Sequence, residues 1–161
     1  MPEIEIRRVR TEEWEALRDT RLAALADSPD AFATTHAEAA ARPSGWWREW
    51  ARGSAAGDEQ AMFLAWQGRE PIGIAGAFRK ARRVYVISMW TAPEARSRGI
   101  GRALLDAAVA FAGDCEVRLS VTETNRSAWR FYERYGFEPT GATEPLREGA
   151  TLRAHELALR R

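Results

Sequence analysis

Arg96-Ser97-Arg98-Gly99-Ile100-Gly101-Arg102-Ala103 stands between an apolar run, Val84 to Trp90, and an amphipathic stretch carrying Leu104, Leu105, Ala108 and Phe111. The run reads as a strand and the stretch, Gly101 to Ala112, as a helix, so the loop feeds a helix N-terminus. Two glycines let the backbone turn tightly and present its N–H groups without Cβ obstruction. The first N–H groups of a helix and its dipole together favour an anion. Arg96, Arg98 and Arg102 add positive charge around that point. The chemistry suits a phosphate or pyrophosphate; a plain strand-to-helix turn with solvated arginines is the alternative. No Gly-Lys-Ser/Thr follows, which excludes a P-loop. Leu104 stands where a third glycine would be required, which excludes the dinucleotide fingerprint.

Working outward, Ile4 to Val9 alternates like a half-buried strand. Thr11 is placed to cap a helix running to Asp27, with Trp14, Leu17, Leu22 and Leu25 on one stripe. The small, polar stretch from Ala31 to Ala41 has no assignment. Pro43-Ser44-Gly45 opens a second helix with Trp46, Trp47 and Trp50, ending at Gly53. The segment from Gly53 to Gln60 reads as a polar loop suited to disorder. Strands follow at Met62–Gln67 and Ile72–Arg79, ahead of Val84–Trp90. Gly73 and Gly76 inside the second of these imply close backbone approach. After the helix from Gly101 come a strand, Glu116–Val121, a helix, Ser127–Tyr135, and strands at Phe137–Thr140 and Thr151–Leu159. Gly136 is placed to end the last helix. The order β-α-α-β-β-β-α-β-α-β-β is a mixed α+β arrangement, expected to form a single domain over residues 1–161.

The composition narrows the function. The chain has 161 residues, 45% hydrophobic and 29% charged, as soluble globular proteins do. With 24 Lys+Arg against 23 Asp+Glu the net charge is +1, which argues against a nucleic acid partner. No apolar run is long enough to span a membrane, and the first seven residues hold no signal-peptide core, so a cytoplasmic location is expected. One cysteine, Cys115, and two histidines, His36 and His155, leave no disulfide and argue against a metal site or a Ser-His-Asp triad.

A second stretch, Asn125-Arg126-Ser127-Ala128-Trp129-Arg130-Phe131-Tyr132-Glu133-Arg134-Tyr135-Gly136-Phe137, follows the next strand. Together with Pro93-x-x-Arg96-x-x-Gly99-x-Gly101-x-x-Leu104-Leu105 it closely resembles the GNAT (Gcn5-related) N-acetyltransferase superfamily, over roughly residues 84 to 138. The resemblance implies a central mixed, mostly antiparallel sheet, splayed between strands 4 and 5 and flanked by helices. It implies acetyl-CoA as cosubstrate, lying between the two splayed strands. The pantetheine arm would bond to the backbone of Met89, Trp90 and Thr91, like an added strand. The Thr91 N–H would polarise the thioester carbonyl as an oxyanion donor. The pyrophosphate would sit on the loop from Ser97 through Gly99, Ile100 and Gly101 to Arg102 and Ala103, flanked by Arg96 and Arg98. Met89 and Trp90 also suit plain strand packing.

Asn125 matches the position that bonds the pantetheine arm; helix N-capping is its other reading. Tyr132 matches the general acid that protonates the leaving thiolate, against a core tyrosine. Tyr135 lacks that match and reads as packing. The reaction implied is direct attack by an amine, without an acyl-enzyme. Cys115, between Asp114 and Glu116, makes a poor nucleophile. The family's carboxylate bases are missing: Ser120 and Tyr85 stand at the two positions where members of different types carry glutamate. Water held by Ser88 or Ser120, or a carboxylate such as Glu38 or Glu123, is left to take the proton.

The acceptor region is Asp27 to Trp50. Phe32, Trp46, Trp47 and Trp50 either line an aromatic pocket for a cationic amine or, as the helical spacing favours for most of them, pack onto the sheet. Acids there are scattered, which argues against an aminoglycoside wall. The expected function is acetyl transfer to a primary amine of a small molecule or peptide; a non-catalytic acyl-CoA-binding sensor or scaffold is the alternative. The terminal strand Thr151–Leu159 is placed to pair in a homodimer.

Overall fold

A computed structural model describes residues 3–161. Seven strands form one sheet: β1 (Ile4–Arg8), β2 (Gln60–Gln67), β3 (Glu70–Lys80), β4 (Arg83–Thr91), β5 (Glu116–Thr122), β6 (Phe137–Pro145) and β7 (Arg153–Leu159). The order across the sheet is β1-β2-β3-β4-β5-β7-β6. Every neighbouring pair is antiparallel except β4 and β5. Among the described residues, five α-helices complete the fold: α1 (Trp14–Asp27), α2 (His36–Ala40), α3 (Ser44–Ser54), α4 (Ile100–Ala112) and α5 (Arg126–Tyr135).

Strand β2 shows why the layers form. Its side chains alternate, and both sets are apolar. Ala61, Phe63 and Ala65 join a core with Ile100 and Leu104 of α4. Met62, Leu64 and Trp66 join Leu17 of α1 and Ala51 of α3 in another. The sheet is therefore covered on both faces, and β2 reads as one continuous apolar run. The two glycines of β3 answer the same crowding. A Cβ on Gly76 would lie 2.3 Å from Met62 Sδ, and one on Gly73 would lie 3.0 Å from Leu104 Cδ1 and 3.2 Å from the Trp90 carbonyl.

Several expectations shift. Thr11 does not cap α1; residues Thr11–Glu13 form a 3-10 turn, and the Glu13 carboxylate reaches back to the Arg10 N–H at 2.8 Å. Two guanidinium bonds from Arg7, 2.7 and 2.6 Å, hold that carboxylate in place. The unassigned stretch contains α2, capped by Thr35, whose hydroxyl accepts from the Glu38 N–H at 3.2 Å. The polar loop after α3 is pinned by two arginines: Arg8 donates to the carbonyls of Ser54, Gly57 and Gln60, and Arg79 to that of Asp58. Strand β6 continues past Thr140 to Pro145, across an irregularity between Pro139 and Thr143. Trp47 is 1% exposed, in a core with Ala24, Leu25, Phe32 and Ala39. Its removal is expected to cost about 3–5 kcal/mol.

Candidate functional site

The parallel pair β4–β5 is short. Its register runs through Arg83–Glu116 and Val84–Val117 and ends at Tyr85–Arg118. Beyond that point β5 continues to pair with β7, and β4 with β3, so the two strands part. A bulge marks the departure. On β3 the pairs Ile74–Trp90 and Gly76–Ile87 leave one residue between them, where β4 has two, Ser88 and Met89. Ser88 carries a φ of 60°, a conformation a non-glycine residue adopts at a cost. Such bulges bend a strand and re-aim its side chains.

Past the bulge, β4 has an open edge. The Ala92 N–H bonds the Ile72 carbonyl at 2.8 Å, on the β3 side. By strand alternation the N–H and C=O of Thr91 therefore point the other way, toward the gap left by β5. The Thr91 carbonyl accepts from Arg96 Nε at 3.0 Å, outside the sheet ladder. The same alternation turns the Trp90 backbone toward β3, while its indole donates to Asp27 Oδ2 at 2.9 Å. Arg96 Nη2 donates to that same oxygen at 2.7 Å. Hydrogen bonds from Trp90, Ser28 and Arg96 hold the Asp27 carboxyl below the usual carboxylate range. Asp27 thus ties the end of α1 to the loop after β4.

That loop delivers α4. Gly99 has φ 77°, the left-handed conformation that glycine adopts freely. The Ala103 N–H is bonded to the Gly99 carbonyl at 3.1 Å, so Ile100, Gly101 and Arg102 belong to the first turn, whose N–H groups have no intrahelical partner. Gly101 is different from Gly99. Its backbone is ordinary, and an added Cβ would touch only Phe131 Cζ at 3.8 Å and Thr91 Oγ1 at 3.9 Å. The fold does not require glycine at 101; its bareness keeps space open beside the free N–H groups.

Two clefts meet at the gap. One, of about 530 Å³, is lined by Met89, Trp90, Thr91, Arg96, Ser97, Gly99, Ile100, Gly101 and Arg102, with Asn125 and Tyr132 opposite. Arg98 and Ala103 lie outside its lining, and the Arg102 guanidinium rests 5.0 Å from the Tyr135 ring centre. The second cleft, of about 540 Å³, takes Ser88, Ser120, Thr122, Phe32, Trp46 and Trp50 among its walls. Trp46 is 37% exposed there, so the tryptophans divide: Trp47 packs, and Trp46 and Trp50 face the cleft.

Met89, Asn125, Ala128 and Tyr132 line both clefts. Asn125 Oδ1 accepts from the Ala128 N–H at 3.3 Å, which caps α5 and leaves its amide N–H₂ to donate. Tyr132 is 7% exposed, packed at the foot of α5 beside Phe137. Burial pushes its hydroxyl well above the ordinary tyrosine range, so it stays protonated at neutral and moderately alkaline pH. Tyr135 instead donates to Asp106 at 2.6 Å and ties α5 to α4.

The carboxylates weighed from sequence lie elsewhere. Glu38 is occupied by Thr35 at 3.0 Å, and Glu123 faces His155 at 3.3 Å; neither lines either cleft. Glu144 of β6 lines the second cleft, the one carboxylate to do so among the described residues. No spacing to either motif announced it. Arg21 of α1 and Arg42, between α2 and α3, line it too. Cys115 lies outside both clefts and accepts from Arg79 Nη1 at 2.8 Å.

A profile of the acetyltransferase (GNAT) family matches residues 10–137. No curated protein sequence matches the chain. Among solved structures, an acetyltransferase of the GNAT family from Streptococcus pneumoniae superposes with a TM-score of 0.79 at 18% identity, over 97% of this chain and 98% of that one. YncA from Salmonella typhimurium, solved with its cofactor acetyl-CoA, gives 0.78 at 16% identity, over 98% and 94%. The PaiA N-acetyltransferase from Thermoplasma acidophilum, in complex with coenzyme A, gives 0.68 at 18% identity, over 99% of both chains. With its splayed parallel pair, its glycine loop at the start of α4 and a profile match over most of its length, the chain belongs to the acetyltransferase (GNAT) family.

Proposed function

We propose that the chain is an N-acetyltransferase that moves an acetyl group directly from acetyl-CoA to a primary amine of a small molecule or peptide. One observation carries this reading: Tyr132, buried and protonated, stands in the wall shared by two clefts. Support for acetyl-CoA in the first cleft comes from chain features. The open β4 edge offers the Thr91 N–H, the first turn of α4 offers unbonded N–H groups, and Gly101 leaves room beside them. Two similar structures carry coenzyme A or acetyl-CoA.

Acetyl-CoA supplies the acetyl group activated as a thioester. Met89 and Thr91 align it along β4, and the amide of Asn125 donates to its arm. The Thr91 N–H donates to the carbonyl oxygen as negative charge grows there. Glu144, directly or through a water held at Ser88 or Ser120, takes a proton from the amine so that its lone pair is free. The amine nitrogen bonds to the acetyl carbon, the C–S bond breaks, and Tyr132 gives its proton to the departing sulfur; the proton the nitrogen sheds in becoming an amide restores Tyr132. Cys115 lies outside both clefts, which supports transfer without an acyl-enzyme.

The test is release of free thiol from acetyl-CoA across a panel of amines. Amine-stimulated release is the expected result. Tight coenzyme A binding with no release for any amine would instead favour an acyl-CoA-binding sensor.

A further inference from the structure

Three buried side-chain polar atoms have no hydrogen-bond partner among the described residues: Arg21 Nη1, Trp66 Nε1 and Thr122 Oγ1. Buried polar groups are nearly always satisfied, so each exception needs a reason. Two of the three, Arg21 and Thr122, belong to residues that line the second cleft. Thr122 is 3% exposed. Arg21 sits on α1 with its guanidinium 4.9 Å from the Phe32 ring centre and forms no ion pair among the described residues. Burial, with the like charge of Arg42 nearby, pulls it down to about 10. Arg42 lines the same cleft, stacked 3.9 Å from the Trp46 ring centre. A guanidinium taken out of water without a carboxylate partner is costly. Here the fold does this at Arg21 and sets Arg42 beside the same cavity.

A third arginine is committed to backbone carbonyls of the fold. Arg147, in the β6–β7 connection, donates to the carbonyls of Ala33, Pro29 and Phe32 at 3.2, 2.9 and 2.7 Å. It straps the loop that carries Phe32, and so holds the wall against which Arg21 rests. The contrast matters: Nε and Nη2 of Arg147 are taken by carbonyls of the fold, whereas Nη1 of Arg21 is buried with no partner among the described residues. The remaining charge in the lining is Glu144, on another element.

We infer that the acceptor is a small zwitterion, an amine bearing a carboxylate as a free amino acid does, with its carboxylate taken by Arg21 and Arg42 and its amine turned toward Tyr132 and Glu144. Arginine suits the carboxylate because its planar fork pairs both oxygens. Thr122, whose hydroxyl is buried without a partner among the described residues, belongs to the wall of the same cavity. Phe32, Trp46, Trp50, Phe78 and Tyr85 give the cleft aromatic walls for the remainder of the molecule. A polyamine would set its extra cations against two guanidinium groups, and a peptide N-terminus has no carboxylate beside its amine. This inference rests on the transferase reading for the place of the amine, but its carboxylate site stands on Arg21.

L-Phenylalanine and L-phenylalaninamide share ring and amine and differ at the carboxylate. Their binding to the protein saturated with coenzyme A is measured by calorimetry, and their acetylation by thiol release, for wild type, Arg21→Met and Arg42→Gln. Wild type is expected to bind L-phenylalanine about tenfold or more tightly than the amide. In Arg21→Met that ratio falls to near unity, and Arg42→Gln lowers it in part. Thermal unfolding of Arg21→Met at or above the wild-type midpoint shows that the fold survives, because an unpaired buried charge has been removed. Binding of the amide or of spermidine as tight as that of L-phenylalanine, or a preference unchanged in Arg21→Met, overturns the inference. Acetylation of the amide but not of L-phenylalanine also overturns it while leaving the transferase reading intact. Arg21-dependent binding of L-phenylalanine without any acetylation leaves the carboxylate site standing and removes the transferase reading.

Discussion

The two clefts that meet at Tyr132 are built from different materials. The first is made of backbone: the open edge of β4, the Thr91 N–H and the first turn of α4. The second is made of side chains drawn from α1, the α2–α3 turn, β4, β5 and β6. A backbone-built cleft accepts one invariant ligand and tolerates side-chain change. A side-chain cleft sets the choice of acceptor and can differ between chains of the same fold. Tyr132 belongs to both, so substitutions there and on either side should separate the two kinds of cleft.

The largest effect is expected at the shared wall. Tyr132→Phe keeps the ring and removes the proton, so kcat should fall about 10²–10³-fold. Coenzyme A affinity, set by backbone, should stay within about threefold in the same variant. Thiol release and calorimetry read the two quantities, and a parallel loss of both would merge the clefts into one. Next, Glu144→Gln should lower kcat/KM about 10–10²-fold near neutral pH. The loss should shrink at alkaline pH, where the amine is already neutral, as a pH profile of the two proteins would show. Coenzyme A binding should not respond.

On the backbone side, Gly101→Ala should weaken coenzyme A binding about tenfold, because the new methyl enters the cleft. The protein itself should be as stable or more stable, since alanine outperforms glycine in a helix by about 0.5–1 kcal/mol. Melting curves with and without coenzyme A separate these opposite signs. The smallest effect concerns the Asp27 link between the end of α1 and the loop after β4. Its carboxyl has a lowered folded-state value, so its contribution is present above the usual carboxylate range and is lost as pH falls through that lowered value. Asp27→Asn should lower the melting midpoint by about 3 °C or less at pH 7, and the gap should close as the medium is made acidic.

The contrast between the clefts also explains what could be read before the structure. Gly99, Asn125 and Gly136 mark places where backbone geometry or capping constrains the residue type, and Gly101 one where a side chain would enter the first cleft, so local spacing exposes them. The bulge at Ser88 left no such mark, because it arises from pairing with β3 and the departure of β5. Helix α2 did carry a signal in Thr35-His36-Ala37-Glu38, a capping pair at the right interval, though its brevity hid it among small residues. Arg21 carried one as well. Leu17, Arg21 and Leu25 are spaced four apart, so a charge occupies the buried stripe of α1. Glu144 was beyond reach: it enters the cleft only because β6 runs on past its irregularity, a matter of long-range pairing with β7.

The central claim is that both clefts are filled together and the acetyl group passes straight across the wall at Tyr132. Initial rates measured with acetyl-CoA varied at several fixed concentrations of the best amine test it most directly. Double-reciprocal lines that intersect, as a ternary complex requires, are the predicted result; parallel lines, with an acetyl group recovered on the protein, would contradict it.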